Sequence, residues 1–476
     1  MDASNLSTDL SFGQQHFGAC DFKDARLTAR AVRAADQIMR HPGGTLPEKL
    51  NHSADIVGLY RFANNPKVTH QRLLAGHFAR TRLKMEQCAG TVLIIHDTTE
   101  EDFTGLESVK DLGSIGNGGG RGFLCHNSLA VRFEDRAVLG LAGQILHTRR
   151  KVRKGEKADK KRSDPRRESR LWPRGLEAIA PASAQSNWVH VTDRGGDTFE
   201  FIDRCGQRGE KYLVRSKHNR LLQLESAGDE KSPRQMSQQQ IRLHDYAGAL
   251  PPVVTRQVNV QANGRQTARL TRVQIAWAKV TIQCPAGRRG EHRDEPLQTC
   301  VIQVREIDPP PGVTPLLWTL LTNAPVDDDQ DACRCVEWYQ CRPIVEEFHK
   351  AQKTGCGIEL PQFTTRHALE VTTGLLSVVA VALLNLRDLS RRPDAQTIPA
   401  TQAIDAVYVN VLSVWRYKKC RPDLNVKEFC HALAKLGGHF NRKHDHPPGW
   451  LVLWRGWTQL QLLVEGALAA KEARCV

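Results

Sequence analysis

The run Tyr339-Gln-Cys-Arg342-Pro343-Ile-Val-Glu346-Glu347-Phe-His-Lys-Ala-Gln-Lys353 carries a phenol, a guanidinium, a carboxylate and an ammonium at offsets 0, 3, 7 and 14. At about 100° per residue, one helix would present all four within roughly 60° of one another. Such a face suits phosphate chemistry, because a carboxylate can hold a divalent metal while the cations and the phenol grip backbone phosphates. An amphipathic surface helix with Glu and Lys paired at i,i+4 fits the same letters. Pro343 cannot sit deep in a helix, so the helix is predicted to start near it. Tyr339 and Arg342 then fall on a preceding turn, and Glu346 and Lys353 keep the shared face.

Two upstream segments add acids. Thr91-Val-Leu-Ile-Ile-His96-Asp97 reads as a short buried strand ending in a carboxylate. Trp188-Val-His-Val-Thr-Asp193 repeats the arrangement and is followed at once by the turn Arg194-Gly195-Gly196-Asp197. Strand ends beside turns are where sites form in mixed α/β sheets. Either aspartate alone is equally a helix cap or turn residue. Two such aspartates and a later helical glutamate in a basic chain form a less ordinary set.

The order Asp97, Asp193, Glu346, with the last inside Y-x2-R-x3-E-x6-K, resembles the DDE transposases of bacterial cut-and-paste insertion sequences, most closely the transposon-five transposase group. The resemblance runs almost end to end. It includes Asp24-Ala-Arg26-Leu-Thr-Ala-Arg30, Tyr60-Arg61-Phe62-Ala-Asn-Asn-Pro66, Val214-Arg215-Ser216-Lys217-His218, Pro315-Leu-Leu-Trp318, Leu436-Gly-Gly438 and Leu453-Trp-Arg-Gly-Trp457. It implies an α/β fold with a ribonuclease H-like catalytic core. Asp97, Asp193 and Glu346 would hold two Mg²⁺ or Mn²⁺ ions, hard cations suited to carboxylates. Glu346 rather than the adjoining Glu347 is in the motif register. Tyr339, Arg342 and Lys353 would position DNA phosphates, with Arg215 and Lys217 as further contacts. Trp318 would capture a base flipped from the duplex, a stacking contact of about 1–3 kcal/mol, although an aromatic in an apolar strand is also a core residue. The implied reaction is nicking, hairpin formation, hairpin opening and strand transfer. Gly195 departs from the pattern, since many relatives have a glutamate after Asp-Arg.

The chain has 476 residues, beyond the size at which one core keeps growing. Three regions are expected: a helical end-binding domain over 1–75, a catalytic domain over 76–372 with a β-rich insertion at about 211–326, and a helical dimerisation domain over 373–476. Lys plus Arg outnumber Asp plus Glu by 67 to 52, a net charge of +15 that favours a polyanion. The expected partners are double-stranded DNA, at transposon ends and target, and a second copy of the chain. In the first region Arg26, Arg30, Arg33 and Arg61 give the helices a cationic side, which either reads the transposon end or is simply solvated.

Arg149 to Arg170 holds twelve basic residues against four acids and almost nothing apolar, so a mobile loop or arm is expected. Gly116-Asn-Gly-Gly-Gly-Arg121-Gly122 lacks the order of a phosphate loop, which argues against a nucleotide cofactor and for a turn before a strand. Leu375–Leu386 is too short an apolar run to span a bilayer and is predicted to be a buried helix. No secretory signal opens the chain, and thirteen scattered cysteines suit free thiols in a cytoplasmic protein. Cys333, Cys335 and Cys341, and likewise His439, His444 and His446, lack standard zinc spacing. Trp450, Trp454 and Trp457 with Leu460, Leu463 and Leu468 form a helical stripe that should bury itself, within the chain or in a dimer. Two alternatives stand beside the transposase reading: a catalytically silent DNA-binding protein or inhibitor derived from one, and a metal-dependent nuclease that cuts without joining.

Overall fold

The computed structural model describes residues 10–473 apart from 51, 151–154, 158–159, 161–163, 224–240, 261–267, 287–290, 393, 441 and 443–446. The described residues begin with five helices, α1 (Phe12–Phe17), α2 (Ala25–Arg40), α3 (Leu46–Leu50), α4 (Ser53–Ala63) and α5 (His70–Glu86). Ser11, Asp24 and Thr69 cap three of them by accepting from the first-turn N–H groups. There follow β1 (Thr91–Asp102), β2 (Gly113–Ile115), β3 (Gly120–Arg132), β4 (Val138–His147), α6 (Leu171–Glu177), β5 (Asn187–Thr192), α7 (Phe199–Gln207) and β6 (Lys211–Arg215). The β-rich part holds β7 (Leu222–Gln223), α8 (Leu243–Ala249), β8 (Val254–Val260), β9 (Arg269–Ile282), β10 (Leu297–Glu306) and β11 (Leu317–Thr322). Last come α9 (Asp329–Tyr339), α10 (Pro343–Lys350), α11 (Arg366–Arg391), α12 (Ala406–Tyr417), α13 (Val426–Leu436) and α14 (Trp450–Ala473).

Among the described residues the strands form one eleven-stranded mixed sheet in the order β2-β3-β1-β5-β6-β11-β10-β9-β7, with β4 also on β3 and β8 also on β9. β1, β5 and β6 run parallel, and β3 and β4 are antiparallel additions on one side. On the other side β11 joins β6 antiparallel, so the β-rich insertion continues the same sheet instead of forming a separate layer. Within the insertion Arg269–Ile282 is one strand, β9, whose residues from Val273 to Ile282 pair without interruption with β10. Gly116 and Gly118 stand at φ 57° and 98° in the turn between β2 and β3, a backbone that side chains rarely adopt.

One sheet face packs on α11 and the N-terminal helices. Phe17, Phe22, Phe62 and Leu73 share a continuous core with Leu93, Ile95, Val191, Leu375 and Val379. The opposite face is covered by α6, α7 and α8 through Leu171, Trp172, Phe201 and Leu243. Each fully buried aliphatic side chain contributes roughly 1.5–3 kcal/mol to holding these layers together. Helices α5 and α11 run through positions 75/76 and 372/373, so the helical ends are continuous with the central layer.

The predicted buried helix at 375–386 is longer than its apolar run. α11 has 26 residues and by length and composition could cross a bilayer, yet 78 % of its most apolar window is buried inside the fold. α14 buries Trp450, Trp454 and Leu460, but Leu463 and Leu468 stay 37 % and 48 % exposed, so the expected stripe is covered only in its first half. The described part of the expected basic arm is tied to the body: Arg149 pairs with Glu100 and Glu168, and Arg170 with Glu200. Residues 151–154, 158–159 and 161–163 of that segment lie outside the described residues.

Candidate active site

Asp97 and Asp193 are brought together by strand register. The parallel pairing of β1 with β5 ends at His96 opposite Thr192, and the two aspartates are the next residues on each chain. Asp193 does follow the end of its strand and caps the short turn Arg194–Gly196, accepting from Gly195 N at 2.8 Å. Asp97 is not at a strand end as expected. β1 continues to Asp102 by pairing with β3, and Asp97 stands opposite Asn127 in mid-strand. Gly195 has a local reason: a Cβ there would lie 2.3 Å from the Trp172 ring and 3.0 Å from Asp193 Oδ1, so a glutamate would have to displace buried Trp172.

The third carboxylate arrives on α10. α9 ends at Tyr339 and Pro343 opens α10, so Arg342 is the last of the three residues between the two helices. The four-residue face fails as a single helix, as Pro343 implies, but the break turns Arg342 into the site. Its Nη2 donates to Asp97 Oδ2 at 2.7 Å and lies 3.8 Å from Asp193 Oδ2, while Nη1 donates to Glu346 Oε1. One guanidinium is thus surrounded by all three candidate carboxylates. Exposure rises outward across them, from 13 % for Asp97 to 33 % for Asp193 and 58 % for Glu346. Burial pushes the Asp97 carboxyl up to about 6; Arg342 opposes the shift and Asp193 adds to it. His349 Nδ1 lies 3.9 Å from Asp97, and burial followed by the Arg342 charge lowers its pKa to about 3, which keeps the ring neutral. Glu347 points elsewhere, accepting from Arg387 Nη1 at 2.6 Å. Of the two adjoining glutamates, Glu346 is the one turned toward Arg342.

Tyr339 is buried, and its ring meets that of Trp318 edge-on with centroids 5.0 Å apart. Burial raises the Tyr339 phenol and neighbouring Arg215 and Arg342 pull it back. Arg215 also donates to Leu317 O at 3.2 Å. Lys217 is exposed, on a turn fixed by fully buried Asp197, which accepts from Lys217 N and His218 N and pairs with Arg220. Lys353 does not reach the three acids. It lies in a π-turn, Ala351–Gly355, and pairs with Glu359 at 2.8 Å.

The π-turn also faces Gln352 inward, where it donates to Ser377 Oγ at 2.8 Å. Gln144 donates to the same oxygen and to Asn127, the strand partner of Asp97. Glu101, fully buried on β1, accepts from Thr373 Oγ1 at 2.8 Å and has one carboxylate oxygen with no hydrogen-bond partner. Burial raises its pKa from 4.5 to about 7. Between these values the folded state holds a proton that the unfolded state has lost, so stability falls as pH rises through the interval and stays lower above it. Glu101→Gln is expected to remove this slope, on the order of 2–3 kcal/mol for a fully buried group. Unfolding midpoints of both proteins at pH 5 and pH 8 check it: the wild type should lose stability relative to the variant at the higher pH.

At the N-terminal end Arg26 is 91 % exposed at the start of α2, and Arg61 is exposed on α4. Arg30 is less free than expected. With Arg33 and Gln37 it grips buried Asp55 at 2.7–3.1 Å, tying α2 to α4. Residues 10–68 match the transposase DNA-binding family. The match covers α1 to α4, and it implies DNA binding by a transposase-type domain that packs on the same core as the candidate acids.

Several residues escaped the sequence reading. Asp55, Glu359 and Arg387 are partners whose importance depends on contacts far along the chain. Only Arg387 left a visible signal, a cation that directly follows the apolar run ending at Leu386. Among the described residues, the group of cysteine, histidine and acid donors within 4.8 Å of one another is Cys284, His292 and Asp294, beside the β9–β10 hairpin. Cys333, Cys335 and Cys341 are free and buried. His444 and His446 lie outside the described residues.

Proposed function

We propose that the chain is a DDE transposase that binds the inverted repeats of an insertion sequence, cleaves them through a hairpin intermediate and joins them to target DNA. The observation that carries this reading is the convergence of Asp97, Asp193 and Glu346 on one cation, in a chain whose first helices match a transposase DNA-binding domain. The parallel strands β1, β5 and β6 flanked by antiparallel β3 and β4 support a ribonuclease H-like reading of the core. The Arg342 guanidinium acts as a stand-in cation, and hard carboxylate oxygens around it fit Mg²⁺ or Mn²⁺. Two such ions, held by Asp97, Asp193 and Glu346, would activate water or a 3′-hydroxyl and steady the leaving oxygen.

The chain's own residues supply the rest. Exposed Arg26 and Arg61 would hold the end, and Lys217 and Arg215 would contact its backbone beside the acids. Trp318, half-buried against Tyr339, offers a stacking surface for a base unpaired when the end bends into a hairpin. Trp318→Ala is expected to nick at the normal rate but to lower hairpin yield by about 10-fold, the equivalent of one lost stacking contact. Equal hairpin yield on a denaturing gel would remove Trp318 from this role. A homodimer on DNA and a cytoplasmic setting complete the proposal.

Incubation of the protein with Mg²⁺ and a duplex bearing the inverted repeat beside its gene tests the whole reading. Nicks, hairpins and joined products support it. A retarded duplex with intact strands in both Mg²⁺ and Mn²⁺ would favour a silent DNA-binding protein.

A further inference from the structure

Arg342 occupies the position in which the candidate carboxylates would need a metal. Its side chain is 15 % exposed, and it contacts Asp97 Oδ2 and Glu346 Oε1 directly with Asp193 Oδ2 at 3.8 Å. Its Nε is buried with no hydrogen-bond partner, so the guanidinium is held mainly by these acids. The cost is competition: a divalent ion and the guanidinium seek the same oxygens, and both cannot have them.

Arg342 sits at the junction of α9 and α10, where Pro343 fixes the start of α10. Its side chain can swing by rotation about its own bonds while Glu346 stays in place. A phosphate is the natural destination, since a planar guanidinium matches its oxygens bidentately. Arg194 and Arg215 are near enough to contribute to the same electrostatic environment, so a DNA backbone drawn to this rim would reach Arg342 as well.

We propose that Arg342 is an internal counter-ion that keeps the three carboxylates from binding divalent metal until a DNA phosphate draws it away, so that end binding and metal binding are coupled. The inference rests on the reading of Asp97, Asp193 and Glu346 as metal ligands. Linkage requires that DNA tighten metal binding by the same factor by which metal tightens DNA binding.

The test is Mn²⁺ affinity of the full chain, by calorimetry and by the electron paramagnetic resonance of free Mn²⁺, with and without inverted-repeat duplex. DNA is expected to tighten Mn²⁺ binding by about 10-fold in the wild type. Arg342→Gln without DNA should already bind about 10-fold more tightly, and DNA should then add little. Arg342→Lys keeps the charge but cannot span three acids, and should fall between the two; it serves if the glutamine variant does not fold. Equal DNA-free affinity in wild type and both variants, with binding abolished by Asp97→Asn, would overturn the counter-ion role and leave the metal site standing. Mn²⁺ binding unchanged in Asp97→Asn would overturn the metal site itself.

Discussion

Asp97→Asn is expected to retard an inverted-repeat duplex as well as the wild type does, while strand cleavage falls by at least about 10³-fold, or about 4 kcal/mol of barrier. The reasoning is electrostatic. Asparagine keeps the size of the side chain and can still accept from Thr98 N, which donates to Asp97 Oδ1 at 2.9 Å. What it loses is the innermost negative charge of the three. Among the described residues no hydrogen bond or ion pair joins α1–α4 to Asp97, so binding measured by gel retardation should persist. Glu346→Gln should behave in the same way. Glu347→Gln should retain cleavage, because Glu347 faces Arg387 rather than the aspartates. Comparable loss in the Glu347 variant, with unfolding midpoint unchanged, would reassign the third acid. Loss of end binding in folded Asp97→Asn would argue against separate binding and cutting functions.

The largest effect on stability is expected from Arg387→Ala. Arg387 is 1 % exposed within α11 and donates to Glu347 Oε2 at 2.6 Å and Asp388 Oδ1 at 2.5 Å. Asp388 in turn accepts from Val138 N at 2.8 Å, which links α11 to β4. Removing the guanidinium leaves buried Asp388 without its direct ion-pair partner, with only the weaker pull of Arg391 remaining, a loss of about 3–5 kcal/mol. Thermal or denaturant unfolding measures it. Glu347→Gln should cost less, since Asp388 would still balance Arg387 and Glu347 is 28 % exposed. A variant Arg387→Ala as stable as wild type would mean that the network is solvated.

Much of the candidate site could be read from local pattern. The apolar runs ending near Asp97 and Asp193 are buried strands, and Pro343 marks the start of α10 as its missing N–H requires. The turn at 116–119 and the caps at Asp24 and Thr69 follow from short-range hydrogen bonding and glycine conformations. Extents were less legible. β1 runs five residues past Asp97 because β3 offers it a partner that no neighbouring residue announces. β9 passes through Ala278 and Lys279 without a break because β10 pairs with every residue there.

Sequence alone was enough for what depends on neighbours a few residues away: which segments are strands or helices, where α10 begins, that Glu346 belongs to a helix with Arg342 just before it, and that the chain carries excess positive charge. Tertiary structure decided what depends on pairing between separate elements. It set Asp97 beside Asp193 through the register of β1 on β5, separated Glu346 from Glu347 by giving the latter to Arg387, and tied Arg30 to Asp55 and Lys353 to Glu359. The physical reason is that a side chain's type limits the partners it accepts, whereas burial and geometry select one of them. Arg342 makes the difference plain. Its charge and place in the motif are local facts, but its position among three acids exists only because a strand, a turn and a helix end meet there.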